Sequence, residues 1–265
     1  MDKNAWKRFK TAREKYRSFA EKLNRTLPGL AHFEQELVNR RKGPSYTVET
    51  PVVYNRALDD IGQEDEIRLI LVADNPGRRE QAAENRRYLV GPSGKIAEKF
   101  FREHPELKID FRKNVIILNK TPIHSPRTAD LAELCRLGGG TVEKAIVDSQ
   151  AAMADLLLEF HKCFAENPQA PPRPLAPAKV PVWIIGYSEM KKGGIFEAYT
   201  ERIKELYAAL PVRREDVFFY RHFSMNQFTI DLEKQRQPGE TAAETLARIG
   251  AAYRSRVMGA YSLKT

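Results

Sequence analysis

Three nearly continuous apolar segments of the chain each end in a polar side chain that can do chemistry. The polar residues are Asp74 with Asn75, Asn119, and His222. A carboxylate can act as a general base, and a histidine ring can donate a hydrogen bond to developing negative charge. The amide of Asn119 offers both donors and an acceptor, so it can pair with the edge of a polar ring where a hydrocarbon could not. Together these residue types indicate a site that binds a polar ring and acts on it.

The elements that must position these residues are strands buried on both faces. The continuously apolar segments that predict strands are 67–73, 114–118, 182–186 and 217–220. Helical patterns lie between or after them, at 96–101, 141–164, 196–210 and 241–258. This alternation predicts an α/β fold, a three-layer α/β/α sandwich with a central, mainly parallel four-stranded sheet. Ligands of such sheets bind outside the carboxyl ends of the strands, so we expect the polar strand ends to share one site.

Residues 1–60 predict a basic N-terminal extension, helical and then irregular, before an α/β domain of residues 61–265. An aromatic and apolar stripe with helical spacing predicts a helix over 1–26 that docks on the core. Residues 27–60 carry turn-forming Pro and Gly and are expected to be irregular. Further along the chain, Gly138–Gly140 predicts a break in the helical pattern. The proline-rich stretch 168–181 predicts a stiff surface loop.

Composition narrows the class of protein. The 265 residues suffice for one large domain. The net charge of +9 is typical of a protein with a polyanionic partner such as nucleic acid, and a merely solvated basic surface is the alternative. No segment has the length and apolar content of a membrane helix, and no secretory core follows Met1. We therefore expect a cytoplasmic monomer without a membrane partner. The two cysteines, Cys135 and Cys163, lack ligand spacing, so we expect reduced thiols, no metal and no other cofactor.

Four motifs, in order over residues 66–230, resemble those of the uracil-DNA glycosylase superfamily. A strand ending in Asn75-Pro76-Gly77 resembles the first motif of the mismatch-specific and single-strand-selective branches. The segment 88–95 is similar to the Phe-Val-Gly-x-x-Gly segment of the iron–sulfur branches. The strand that ends at Asn119 resembles the one whose last residue reads uracil, and 222–224 resembles a His-Pro-Ser signature. The resemblance implies a hydrolase of base excision repair, a DNA glycosylase that cleaves the N-glycosidic bond of uracil or a related damaged base.

The resemblance also implies a role for each matching residue. Hydrolysis of an N-glycosidic bond expels a base anion and leaves an oxocarbenium-like sugar. Asn75 would position the attacking water, and Asp74 matches an acid of the iron–sulfur branches that could act as a base or offset the charge of the sugar. His222 would donate a hydrogen bond to the departing base. Base binding would fall to Asn119, with Tyr88 or Leu89 against the ring.

DNA contacts are expected on both sides of this site, because a glycosylase must hold the strand while it extrudes the target nucleotide. Ser224 would hold a phosphate, and Met225, Asn226 or Phe228 would fill the vacated stack, as apolar wedges do, although Phe228 could instead belong to the core. The dense basic cluster near the first motif favours phosphate contact, although a solvated face is the alternative. The expected DNA-binding residues are Ser224, Met225, Arg78, Arg79, Arg87 and Lys95.

The chain departs from the superfamily pattern at several positions. Ala73 stands in place of a Gly, Phe223 in place of the Pro of His-Pro-Ser, and Leu89 in place of the stacking Phe, so either Tyr88 stacks instead or the pocket is altered. Gly77 follows Pro76 where the strictly uracil-specific branch has a Tyr, which leaves the preferred base open. Two cysteines cannot supply the four ligands of an iron–sulfur cluster.

Other interpretations of the same residues remain. Asn75 before Pro76 is also a common turn opener, Asn119 could cap a strand, and a lone histidine is often structural. The segment 91–95 resembles a fragment of a phosphate loop, but it has two residues rather than four between its glycines and Ile96 after its lysine. A non-catalytic nucleic-acid-binding protein on a glycosylase-like fold is the main alternative function.

Overall fold

Four short parallel strands form the centre of the structure, a computed structural model that describes residues 1–164, 180–210 and 214–259. The strands are β1 (Leu69–Ala73), β2 (Val115–Asn119), β3 (Val182–Ile185) and β4 (Val217–Tyr220). They are hydrogen-bonded in the order β2-β1-β3-β4, and every pairing is parallel. All their residues except one are buried, which is why each strand is a continuous apolar run. The predicted strands and the parallel sheet are confirmed.

Helices cover both faces of this sheet. In chain order they are α1 (Lys3–Thr26), α2 (Leu30–Arg40), α3 (Arg78–Gln81), α4 (Pro92–Glu103), α5 (Asp130–Cys163), α6 (Glu197–Ala208), α7 (Gln227–Gln235) and α8 (Ala242–Met258). On one face, Phe101 of α4 and Phe228 of α7 stack on Trp183 of β3, with ring centroids 5.7 and 5.9 Å away. On the other side, α5 packs against α1, α2 and α6. The predicted three-layer α/β/α sandwich is confirmed.

The aromatic stripe of α1 docks on the core as expected. Phe9 and Tyr16 are fully buried, and the Phe9 ring meets the edge of Phe160 in α5 at 5.6 Å. The domain boundary near residue 60 stays a prediction. No helix within the described residues is both long enough and apolar enough to cross a membrane.

Two sequence expectations about secondary structure were wrong. Helix α2 lies in the segment expected to be irregular, because Leu30, Leu37 and Val38 recur at helical spacing and are buried. Helix α5 runs through the three glycines with only Gly139 outside helical geometry, at φ 63°, so the expected break is a kink. The stiff surface loop expected at 168–181 remains a prediction, because residues 168–179 lie outside the part of the chain that the structure describes.

Candidate functional site

A cavity of about 1100 Å³ opens where the strands end. Its lining includes Asp74 and Asn75 after β1, His222 and Ser224 after β4, and Leu89 before α4. The structure therefore brings two of the three predicted strand ends to one surface. The third, Asn119, belongs to the neighbouring strand but does not line the cavity.

The Asp74 carboxylate is already paired inside the protein. Lys120, which is fully buried, donates from Nζ to Asp74 Oδ1 at 2.5 Å and to the Ile185 carbonyl at 2.6 Å. The Thr128 hydroxyl donates to Asp74 Oδ2 at 3.3 Å. Burial lowers the pKa of Lys120, and the carboxylate of Asp74 opposes that shift. Both oxygens of the Asp74 carboxylate therefore accept a hydrogen bond from within the protein.

Gly186, directly after β3, allows this ion pair to form. Its φ of +77° is a left-handed conformation that side chains rarely adopt, and a Cβ atom here would stand 2.5 Å from Asp74 Oδ1. The residue is therefore glycine for two reasons, conformation and space.

The side-chain amide of Asn75 is oriented by its neighbours. Its Nδ2 donates to Ser125 Oγ at 2.9 Å and to the Pro76 carbonyl at 3.3 Å. The Ser125 hydroxyl donates in turn to the Arg127 carbonyl at 2.7 Å, so its oxygen can only accept from Asn75. The amide nitrogen must face Ser125, which leaves the Asn75 carbonyl oxygen without a donor among the described residues. That oxygen is available to a water molecule in the cavity.

His222 is held as a neutral hydrogen-bond donor. The backbone N–H of Ser224 donates to His222 Nδ1 at 3.0 Å, and the Ser224 hydroxyl lies 2.8 Å from the same atom. An Nδ1 that accepts must be unprotonated, so the neutral ring carries its hydrogen on Nε2. Burial lowers the pKa of His222; Asp74 opposes this shift and Lys120 adds to it. The ring can therefore present an Nε2–H group at neutral pH without bringing a charge into the cavity.

Glu80 ties together the two loops that face the cavity from either side. Its Oε2 accepts from the Gly77 N–H at 3.0 Å and its Oε1 from the Leu89 N–H at 2.7 Å. Burial raises the pKa of Glu80 to about 7, against the opposing effect of these two donors. Leu89 has φ +51°, a strained conformation for a leucine, and Arg112 holds its carbonyl at 3.1 Å. A Cβ atom on Gly94 would stand 1.5 Å from that carbonyl oxygen, so only glycine fits beneath Leu89.

Asn119 is buried next to the cavity wall with its amide unsatisfied. It is 1% exposed, and neither its Oδ1 nor its Nδ2 has a hydrogen-bond partner among the described residues. Its register partner is Ala73, which lines the cavity. Paired residues of neighbouring strands lie about 4.8 Å apart and point to the same face. A polar ligand that reached past Ala73 would meet an amide that now bonds to nothing described.

The other expected site residues are divided between the cavity and its surroundings. Tyr88 faces away from the cavity, buried against Tyr16, and donates to the Val53 carbonyl at 2.6 Å. Of the two residues expected against a base, only Leu89 lines the cavity, whereas the ring of Tyr88 anchors α1.

The expected DNA contacts are divided in the same way. Arg78 and Arg79 line the cavity with Ser224, but Arg87 forms an ion pair with Asp60 away from it and Lys95 is exposed on α4 outside the lining. Met225 is 82% exposed in a left-handed conformation beside Ser224, at φ +53°. The wedge position is therefore an exposed apolar side chain on a constrained loop.

Sequence reasoning missed Lys120 and Glu80. Lys120 follows Asn119 directly, and a charged residue at the end of a buried strand needs a partner of opposite charge. Glu80 stands three residues after Gly77, at the position where a glutamate reaches back to the start of a helix. Both signals were present in the sequence. Neither predicts the second contact of each residue, which is the Ile185 carbonyl for Lys120 and the Leu89 N–H for Glu80.

Comparison of the chain with models of known protein families, with curated proteins and with solved structures gave no match.

Proposed function

We propose that this protein is a DNA glycosylase that hydrolyses the N-glycosidic bond of uracil or a related damaged base in DNA. The observation that carries the proposal is the pairing of Asn75 and His222 in one cavity. Asn75 offers a free acceptor to a water molecule, and His222 offers an uncharged Nε2–H donor to a departing base. These are the two groups that hydrolysis of such a bond requires, one for the nucleophile and one for the leaving group.

In the proposed reaction, the Asn75 carbonyl oxygen accepts a hydrogen bond from water and directs its oxygen toward the sugar carbon. The bond between this carbon and the base nitrogen breaks, and its electron pair leaves with the base. Water oxygen bonds to the sugar carbon, and the released proton passes to solvent or to the base. The His222 Nε2–H stabilises the negative charge on the base, and a neutral donor does so without protonating it.

Asp74 has a supporting role in this scheme. Its two oxygens already accept from Lys120 at 2.5 Å and from Thr128 at 3.3 Å, so the carboxylate is held in place by the fold. Its carboxylate still places negative charge beside the sugar, where an oxocarbenium-like transition state develops positive charge. We assign it to charge stabilisation and assign water positioning to Asn75.

The unsatisfied amide of Asn119 also supports this proposal. An unsatisfied buried amide costs about 1–3 kcal/mol, and pairing with the edge of a base would remove that cost. Its burial outside the cavity lining is also the observation that favours the second candidate function, a non-catalytic nucleic-acid-binding protein. In that case no base reaches Asn119.

The test is release of base from oligonucleotides that carry uracil or another damaged base, single- and double-stranded, followed by alkali to cleave abasic sites. We expect strand cleavage by the wild type, reduced at least about 100-fold in His222→Ala. The control is Asn85→Ala, at a half-buried asparagine of the cavity lining that is not part of the proposed chemistry. Binding without release of any base at high enzyme concentration would refute catalysis and leave the binding function.

A further inference from the structure

One end of the cavity is built by a segment that precedes the α/β fold. Tyr46, Thr47 and Glu49 line it beside Arg78. Gln81, which is 2% exposed, fixes this segment: its Oε1 accepts from the Glu49 N–H at 2.7 Å and its Nε2 donates to the Thr47 carbonyl at 3.1 Å. This wall is therefore a fixed part of the site.

Tyr46 is locked to the loop that carries Asn75. Its hydroxyl lies 3.0 Å from His124 Nε2, and His124 Nδ1 lies 2.8 Å from the Pro76 carbonyl, which can only accept. His124 must therefore carry its hydrogen on Nδ1 and accept from Tyr46 through Nε2. Burial lowers the pKa of His124 to about 4, so the ring stays neutral and this chain of hydrogen bonds persists at neutral pH.

Arg78 lies over the ring of Tyr46, with its guanidinium carbon 5.1 Å from the ring centroid. Arg78 is exposed and forms no ion pair with any described residue. A guanidinium group stacked on an aromatic ring keeps its second face and its in-plane N–H donors free. The second face can stack on a nucleobase, and the in-plane donors can bond to phosphate oxygens.

The size of the cavity leaves room for such a contact. Pockets that bind a single drug-sized ligand have volumes of about 300–1,000 Å³, and a nucleotide is a ligand of that size. This cavity, at about 1100 Å³, exceeds that range. The target nucleotide would fill the part of the cavity at Asn75 and His222, which leaves the part at Tyr46 and Arg78 for a neighbouring nucleotide.

We propose that Arg78, supported by Tyr46, forms a subsite for the nucleotide next to the target, with its free face on the neighbouring base and its N–H edge on the phosphate between the two. This inference rests on the proposed function, because it assumes that the target nucleotide occupies the other end of the cavity. It assigns to the N-terminal segment a direct part in holding the nucleic acid strand.

The test uses binding, measured apart from base release, to a single-stranded oligonucleotide with 2-aminopurine beside the target position. Stacking on Arg78 should quench the fluorescence of the 2-aminopurine. Arg78→Lys keeps the positive charge but loses the planar face, so we expect the quenching to be lost and affinity to fall about 5- to 10-fold with an unchanged salt dependence. Arg78→Ala should also reduce the slope of log affinity against log salt by about one phosphate contact.

Variants of Tyr46 separate the support of the ring from that of its hydroxyl. Tyr46→Phe keeps the ring beneath Arg78 and loses the bond to His124, so most of the quenching should remain. Tyr46→Leu removes the ring and should lose most of it. Arg102→Ala removes an exposed arginine outside the cavity lining and serves as the charge-matched control. Thermal unfolding of each variant checks that it is folded.

Unchanged quenching and affinity in both Arg78→Lys and Tyr46→Leu would overturn the subsite, whether or not the wild type releases a base. A wild type that binds and shows the expected pattern but releases no base would refute the glycosylase and retain the subsite. A wild type that binds no oligonucleotide would overturn both.

Discussion

Asp74 and Asn119 lie at the ends of adjacent parallel strands, and their chemical situations are opposite. The side chains of register partners share a face, so Asn119 shares the face of Ala73, the last residue of β1, whereas Asp74 follows the end of that strand. Asp74 has hydrogen-bond donors from Lys120 and Thr128, whereas Asn119 has no partner among the described residues. The first polar group is satisfied by the fold itself. The second is left for a ligand, which is where a binding function should be sought.

The largest loss of stability should come from removing the hydrogen-bond partner of Asp74. Lys120→Met leaves the carboxylate of Asp74, which is 8% exposed, without its counter-ion. We expect the free energy of unfolding in urea to fall by about 3–5 kcal/mol, as for other buried pairs that lose one member. The double variant Asp74→Asn with Lys120→Met should recover much of that loss. A loss below about 1 kcal/mol in the single variant would mean that solvent, and not Lys120, satisfies Asp74.

Gly186→Ala disturbs the same ion pair by a steric clash. It should lower the free energy of unfolding somewhat less than Lys120→Met does. The new Cβ atom would stand 2.5 Å from Asp74 Oδ1, in a backbone with φ +77°. We expect a loss of about 2–3 kcal/mol of unfolding free energy in urea denaturation. Gly193→Ala is the matched control, because Gly193 has φ +73° and nothing within 4 Å of its Cβ position. It should show only the backbone cost, about 1 kcal/mol, and equal losses in the two variants would contradict the steric argument.

A smaller effect that depends on pH should come from Glu80, a buried carboxylate that, unlike Asp74, has no lysine or arginine bonded to it among the described residues. Its pKa is raised from 4.5 to about 7, so the folded state binds the proton more tightly than the unfolded state. Its contribution to stability is therefore present below about pH 4.5 and is lost as the pH rises through about 7.

The measurement for Glu80 is the difference in unfolding free energy between the wild type and Glu80→Gln across that pH range. The difference cancels His124, whose pKa is lowered to about 4 and whose contribution changes in the opposite direction. The variant should gain on the wild type as the pH rises from 4.5 to 7. A difference that stays constant with pH would show that folding does not raise the pKa of Glu80.

The smallest loss of stability should come from removing the unsatisfied amide of Asn119. Asn119→Leu removes an amide that bonds to nothing described and inserts a side chain of similar size, so the unfolding free energy should not fall, and it should rise by at most about 1–3 kcal/mol, the cost of the unsatisfied amide. Asp74→Leu, which strands the buried ammonium group of Lys120, is the contrasting variant and should lose stability. A large loss in Asn119→Leu would show that the amide has a structural partner in solution.

Most of the fold could be predicted from the sequence, because strands of a parallel sheet that is buried on both faces consist of continuous apolar residues. All four strands begin and end within two residues of their predicted bounds. Helix α2 and the continuity of α5 could not, because local Pro and Gly signals were outweighed there by burial of Leu30 and Leu37 and by the packing of α5.

The site could be predicted only in part. The residue types at the strand ends were recognisable, but the side on which each points depends on register, which separates Asp74 from Asn119. Tyr88 turns into the core because Leu89 takes a left-handed conformation fixed by Glu80 and Arg112, contacts from elsewhere in the chain. No local pattern encodes that turn.

The most direct test of the account is the single-turnover rate of base release from a uracil-containing oligonucleotide, measured for the wild type and Asn75→Ala. Asn75 is bonded only to Ser125 and Pro76 among the described residues, so its removal should leave the fold intact and deprive the attacking water of its acceptor. We predict measurable release by the wild type, a rate about 100-fold or more lower in Asn75→Ala, and a wild-type rate in Asn85→Ala. Equal rates in the wild type and Asn75→Ala, or no release by the wild type, would contradict the account.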